Sequence, residues 1–170
     1  MKSTGEVLGI GKDFAEALFK GLTAAKLKLN RTGGVFISVR NSDKDEIADI
    51  ADRFRSLGFD IYATPGTAQL LTSKGFSVTT VQKISESPTD NNTTTLLESG
   101  KLSYVICTAE KGRNPERDGV IIRRKACILG IPCLTSLDTA EALAHCLKRG
   151  HDDGEMLTED TTTLVDINTI

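Results

Sequence analysis

Residues 35–67 read VFISVRNSDKDEIADIADRFRSLGFDIYATPGT, and the fold turns on how that stretch alternates. Val35, Phe36, Ile37, Ser38 and Val39 form a run rich in β-branched residues and almost wholly apolar, the pattern of a strand buried on both faces of a parallel sheet. Ser42 or Asp43 can then cap a helix in which Ile47, Ile50, Ala51 and Phe54 fall at i, i+3, i+4 and i+7, one apolar face at the helical period. Gly58 closes that helix, and Phe59 to Ala63 is a second strand. Thr64, Pro65, Gly66 and Thr67 turn straight into another helix. This is a βαβα unit, so its strands run parallel and both βα turns open on one edge of the sheet.

Both turns carry groups suited to an anion. The second offers the hydroxyls of Thr64 and Thr67, the bare backbone of Gly66 and the free N–H groups of a helix N-terminus, which favour negative charge. Lys44 adds a full charge from the first turn of the preceding helix. A cation is mildly unfavourable at a helix N-terminus, so its presence there invites explanation. A solvated lysine beside an ordinary Thr/Gly turn reads the same residues equally well.

Working outward, Asp13 and Glu16 form a capping-box-like pair, and Ala15, Leu18, Phe19 and Leu22 repeat at the helical period over about four turns. Asn30, Gly33 and Gly34 break the chain before the first strand. Beyond the second helix, Gly66 to Lys74, come a strand over Phe76 to Val81 near an edge and the polar loop SESPTDNNTTT, a surface loop or ligand lid. Leu96 and Leu97 mark a short helix. Ser103 to Thr108 is the second buried strand, and the charged loop EKGRNPERDG leads to a helix carrying Ile122, Ala126 and Leu129. Ile131 to Leu134 is the last strand. Asp138 and Glu141 open a final helix using Leu143, Cys146 and Leu147. The tail from His151 is acidic and polar until Leu164 to Ile167, which could add a strand. Five strands alternating with helices give an open, parallel α/β/α sheet, with ligands outside the carboxyl ends of the strands.

Composition bounds the function. The 170 residues suit one ordinary domain, and 21 Lys+Arg against 23 Asp+Glu leave a net charge of −2. That balance gives no electrostatic footprint for nucleic acid or membrane, so an anion site must be local. No apolar run nears the roughly 20 residues that span a bilayer, and a cytoplasmic location is expected. Cys107, Cys127, Cys133 and Cys146 lack metal-ligand or C-x-x-C spacing and read as buried thiols in a reducing compartment. His145 and His151 share no cluster with acids or a nucleophile. No metal or catalytic residue is assigned.

The segments STGEVLGIG, VFISVRNSDKDE, IYATPGTAQLL, VQKI, ESGKLSYVICT, VIIRRKA and IP-x-LTSLDTA closely resemble the C-terminal, methylglyoxal-synthase-like allosteric domain of the carbamoyl-phosphate synthase large subunit. The resemblance covers about residues 1–149. Its STGEVLGIG opening is similar to the linker that leaves the second ATP-grasp half of that subunit, so the chain looks like part of a longer one. The implied domains are a linker and helix over 1–30, a regulatory domain over 31–150 and an acidic tail over 151–170.

The resemblance implies a three-layer α/β/α fold with five parallel strands, and allosteric binding rather than turnover by this segment. It implies a nucleotide monophosphate or related phosphate effector: uridine monophosphate (UMP) as inhibitor, inosine monophosphate (IMP) or phosphoribosyl pyrophosphate (PRPP) as activator. By position, Lys44, Thr64, Gly66, Thr67 and Lys83 form the phosphate-binding set, with Thr108, Asp90 and Asp118 as further effector contacts. Cys107, Thr108, Ala109 and Gly119 depart from the Asn, Thr and Ser of some bacterial members. The implied parent is an ATP-dependent, glutamine-hydrolysing ligase of pyrimidine and arginine biosynthesis, using ATP with Mg or Mn. Its partners are the rest of the large subunit, a glutaminase small subunit and further copies by self-association.

Methylglyoxal synthase, acting on dihydroxyacetone phosphate, is the rival resemblance. Asp90 and Asp118 fall near its acidic positions. Its histidine position looks like Pro115, however, and its His-Asp pair like Arg40-Asn41, and a proline cannot move a proton. The related cyclohydrolase that closes inosine monophosphate would need a different run of lysine and aspartate after the third strand.

Overall fold

The computed structural model describes residues 7–84, 92–108 and 118–152, with side chains as far as residue 148. The chain divides into a larger compact unit, Asn30–Ala144, and a smaller one that includes residues 7–29 and 145–152. The larger unit holds a five-stranded, all-parallel sheet built from β1 (Gly34–Ser38), β2 (Asp60–Ala63), β3 (Thr79–Thr80), β4 (Leu102–Cys107) and β5 (Cys133–Leu134). Their order is β3-β2-β1-β4-β5, with β1 at the centre. The helices are α1 (Phe14–Ala24), α2 (Lys44–Ser56), α3 (Pro65–Ser73), α4 (Thr93–Glu98), α5 (Asp118–Ile128) and α6 (Leu137–Asp152).

β1 and β4 are central because their side chains are apolar on both faces. Val35, Phe36, Ile37, Tyr104, Val105 and Ile106 are wholly buried. On one face Phe36, Val105 and Cys107 pack with Leu97 of α4 and with Ile122 and Ala126 of α5. On the other face, Phe54 of α2 meets the Tyr104 ring at 6.0 Å and the Phe59 ring at 5.6 Å. Right-handed crossovers require this division, with α2 and α3 on one face and α4 and α5 on the other, giving three layers. At the entry to β1, a Cβ on Gly34 would stand 2.6 Å from the Tyr62 ring, so glycine alone allows that approach.

The α2 face holds as its period requires, with Ile47, Ile50, Ala51 and Phe54 buried. The third strand is shorter than Phe76 to Val81. Only Thr79 and Thr80 pair with β2, because at the edge of the sheet one neighbour alone supplies ladder partners. β1 likewise stops at Ser38, before Val39, and β5 pairs only from Cys133. α5 ends at Ile128, which leaves Leu129 43% exposed past its last turn.

Three local readings change. Asp43 stands at the N-cap of α2 without capping it, and Ser42 does not cap it either, because a 3-10 turn over Asn41–Asp43 comes first. α6 is capped by Ser136, whose Oγ accepts from the Thr139 N–H at 3.3 Å. Asp138 lies inside the first turn, and Glu141 reaches Arg53 at 3.1 Å instead of returning to the cap. Cys127 is exposed, since its position on α5 faces away from the sheet. The polar loop around Pro88 and most of the charged loop around Pro115, with the tail from Asp153, lie outside the described residues.

In the smaller unit, the Asp13 carboxylate accepts from the Glu16 N–H at 3.0 Å, and Glu16 accepts from the Lys12 N–H at 2.7 Å. α1 runs three turns rather than four. The Cys146 thiol donates to the Ala15 carbonyl at 3.5 Å. No helix among the described residues is long and apolar enough to cross a membrane.

Candidate functional site

Parallel strands end on one edge, and the register sets which ends adjoin. Ile37 of β1 lies beside Ala63 of β2, Ser38 beside Cys107 of β4, and Ala63 beside Thr80 of β3. The residue after each strand therefore reaches the same rim. Thr64 N–H donates to the Ile37 carbonyl at 3.2 Å, which pins the TPGT turn directly against β1. Thr64 is extended, with φ −64° and ψ 154°, and Pro65 begins α3 with its φ preset for a helix.

In this turn the Thr64 carbonyl takes the N–H groups of both Thr67, at 2.9 Å, and Ala68, at 2.8 Å. Pro65 has none to give. Gly66 N–H thus remains as the open backbone donor of the first turn among the described residues. Thr64 and Thr67 are buried, with hydroxyls 3.5 Å apart, at the outer limit of hydrogen bonding, so both can re-aim toward an acceptor between them. Lys44, the first residue of α2, comes to the same place. A Cβ built on Gly66 would lie 3.3 Å from its Nζ. Four of the residues singled out above, Lys44, Thr64, Gly66 and Thr67, are therefore together at the N-terminus of α3. The N-terminus of α3 and the ammonium of the first residue of α2 meet here, an arrangement that attracts negative charge.

Lys83 is half-buried two residues beyond Val81, whose N–H donates to the Ala63 carbonyl at 2.9 Å. It follows β3 at the end of the strand beside β2. Thr108 follows β4 on the other side of β1. The Cys107 thiol lies 3.8 Å from the Gly119 carbonyl, which sets the first turn of α5, with Asp118, beside the end of β4. Asp90 lies outside the described residues.

A second constellation, unforeseen from sequence, occupies the gap between β1 and β4, where strand order reverses and ligands of such sheets bind. The Arg40 N–H donates to Thr108 Oγ1 at 3.1 Å, and Arg40 Nε donates to the Asp43 carboxylate at 2.7 Å. Ser42 Oγ donates to the same oxygen at 2.9 Å. Burial opposes ionisation of Asp43, yet hydrogen bonds from Arg40, Thr108 and Ser42 outweigh it and hold the carboxyl below its ordinary range. The signal available in the sequence was a pair of opposite charges flanking a helix start.

Nucleophilic chemistry finds little support on this rim. Burial pushes the Cys107 thiol up, and it takes Cys133 to about 12, with Cys107 and Cys127 adding and Arg123 opposing. Such thiols stay protonated at neutral pH and are poor nucleophiles. Among the described residues no group of three His, Cys, Asp or Glu side chains could hold a metal ion.

The family model for the MGS-like domain matches residues 46–135, which takes in β2 to β5 and the TPGT turn. The carbamoyl phosphate synthase large chain, C-terminal section, of Methanocaldococcus jannaschii is 45% identical over 148 residues. That match covers 87% of this chain and 24% of the relative, so the chain spans about a quarter of the relative's length. A match over more than half the chain, together with the parallel five-stranded sheet layered by helices, leads to one conclusion: the chain belongs to the MGS-like domain family.

Proposed function

We propose that this domain is the allosteric regulatory domain of a carbamoyl-phosphate synthase large chain, and that it binds a phosphate-bearing effector at the α3 N-terminus. The effector class is a nucleotide monophosphate or a related sugar phosphate: UMP, IMP or PRPP. The observation that carries the reading is the Lys44 ammonium beside Gly66, in a turn that also holds the buried Thr64 and Thr67 hydroxyls 3.5 Å apart. A helix N-terminus carrying an ammonium concentrates positive charge, which a bound dianion complements. Lys83 adds charge from the next strand end. Similarity to a section of a synthase large chain supports the rest of that chain as partner. The longer protein would also bring the glutaminase small subunit, ATP with Mg or Mn, and a cytoplasmic place in pyrimidine and arginine biosynthesis.

Regulation requires that the effector bind one state of the parent better than another, since equal affinity shifts nothing. Lys44→Ala removes a charge-assisted bond and is expected to weaken effector binding by about 1.5–3 kcal/mol in a calorimetric titration. Unchanged affinity would place the site elsewhere.

Turnover of dihydroxyacetone phosphate to methylglyoxal is the competing reading, supported by Asp118 beside the end of β4. Against it, the position after β1 holds Arg40, an always-protonated donor bonded to Asp43 that cannot accept a proton. A colorimetric methylglyoxal assay on the purified domain is expected to give no product. Product formation lost on Asp118→Asn would overturn the regulatory reading.

A further inference from the structure

Among the described residues Asp43 is the one buried carboxylate, 8% exposed, and it stands at a helix N-cap without serving as the cap. Its hydrogen bonds go sideways, to Arg40 Nε at 2.7 Å and to Ser42 Oγ at 2.9 Å. The Thr108 hydroxyl in turn accepts from the Arg40 N–H at 3.1 Å, and the Thr108 N–H donates to the Ser38 carbonyl at 3.1 Å. Arg40 thus ties Asp43 to Thr108 across the gap between β1 and β4. Charge-assisted bonds are the strong, directional ones, so the Arg40–Asp43 pair holds the 3-10 turn Asn41–Asp43 in one shape. The next residue is Lys44, whose Nζ lies against Gly66.

We infer that Asp43 is a positioning residue for the anion site: its carboxylate, held by Ser42 and by the Arg40 that Thr108 anchors, sets the turn that delivers the Lys44 ammonium to the first turn of α3. The inference rests on reading that turn as a phosphate site. Through Arg40, whatever moves the end of β4 also moves Lys44. Two effects of Asp43→Asn oppose each other in sign. Removing a negative charge beside Lys44 raises the local potential and by itself tightens an anion. Loosening the Arg40–Asp43 pair lets Lys44 leave its place, and positioning requires that this second effect win.

The test titrates inorganic phosphate into the full chain and follows the Gly66 and Thr67 amide signals by NMR. Wild type, Lys44→Ala, Asp43→Asn, Thr108→Val and the two double variants with Lys44→Ala are compared. Wild-type binding should depend on Lys44, and Asp43→Asn and Thr108→Val should each weaken it by about three- to tenfold, a coupling of ordinary size for neighbours. On the Lys44→Ala background neither should weaken it further. That non-additivity separates positioning through Lys44 from a general loss of stability, and from direct contact of Thr108 with the anion, both of which would persist. Equal or tighter binding by Asp43→Asn, or additive losses, would overturn the inference while leaving the site in place. Binding that is absent, or indifferent to Lys44, would overturn the site and the inference together. If Asp43→Asn does not fold, Thr108→Val carries the test alone.

Discussion

Gly66 leaves room for an ammonium where any side chain would compete with it. A Cβ there would come within 3.3 Å of Lys44 Nζ, the far end of a flexible chain that can swing aside at little cost. Glycine near a helix start costs up to about 1 kcal/mol relative to alanine, so Gly66→Ala should leave thermal stability unchanged or raised while effector affinity falls. Melting and titration on the same sample check both halves, and affinity kept at the wild-type level would show that Lys44 is not used. Asp43 has its own signature in acid. Its folded carboxyl titrates below the ordinary 3.8, so its stabilisation is present above that value and is lost as pH falls through the lower, folded one. Asp43→Asn should therefore flatten the acid limb of a stability profile, and an unchanged limb would contradict the assignment. The residues of the TPGT turn were legible in advance, because a βα turn with hydroxyls, glycine and a lysine nearby is chemistry written locally. The Arg40 link between Asp43 and Thr108 was not, since the Arg40 N–H and its Thr108 acceptor stand 68 residues apart. Only the sheet makes them neighbours.

Elements obey their periods and fail at their ends. α2 was legible because one apolar face recurs every third or fourth residue, and β1 and β4 because runs buried on both faces need no alternation. The caps of α2 and α6 were not, since Asp43 turns back to Arg40 ahead of the helix and Glu141 reaches Arg53 on another helix. β3 was overread because its threonines favour strand geometry while its edge position offers pairing on one side only. The end of α1 makes a separate point. Lys26 adopts φ 61°, and the Lys26 and Leu27 N–H groups bond back to Thr23 at 2.8 Å and Leu22 at 3.0 Å. This is the helix stop that glycine fills best, because a Cβ is penalised in the left-handed region. Lys26→Gly should raise stability by about 1 kcal/mol in chemical denaturation. A loss of stability would mean that the lysine side chain contributes something its backbone does not reveal.

At the scale of the molecule, one central strand organises everything. Because β1 has β2 on one side and β4 on the other, its carboxyl end is the place where turns from both halves of the sheet meet. Fold class and family were legible, since alternating strands and helices specify a parallel sheet and the quoted segments carry the resemblance. Strand order was not, because nothing in a strand's own residues names its neighbours. The central claim is that this rim receives a phosphate-bearing effector through Lys44 and the TPGT turn. The most direct measurement is a thermal-shift panel of UMP, IMP, PRPP, dihydroxyacetone phosphate and inorganic phosphate, run on wild type and Lys44→Ala side by side. A ligand at about 100 times its dissociation constant adds roughly 2.7 kcal/mol, or about 5–10 °C for a chain of this size. The account predicts a shift of that order, selective for a nucleotide or phosphoribosyl compound and lost in Lys44→Ala. An equal shift in both proteins, or none with any phosphate compound, would contradict it.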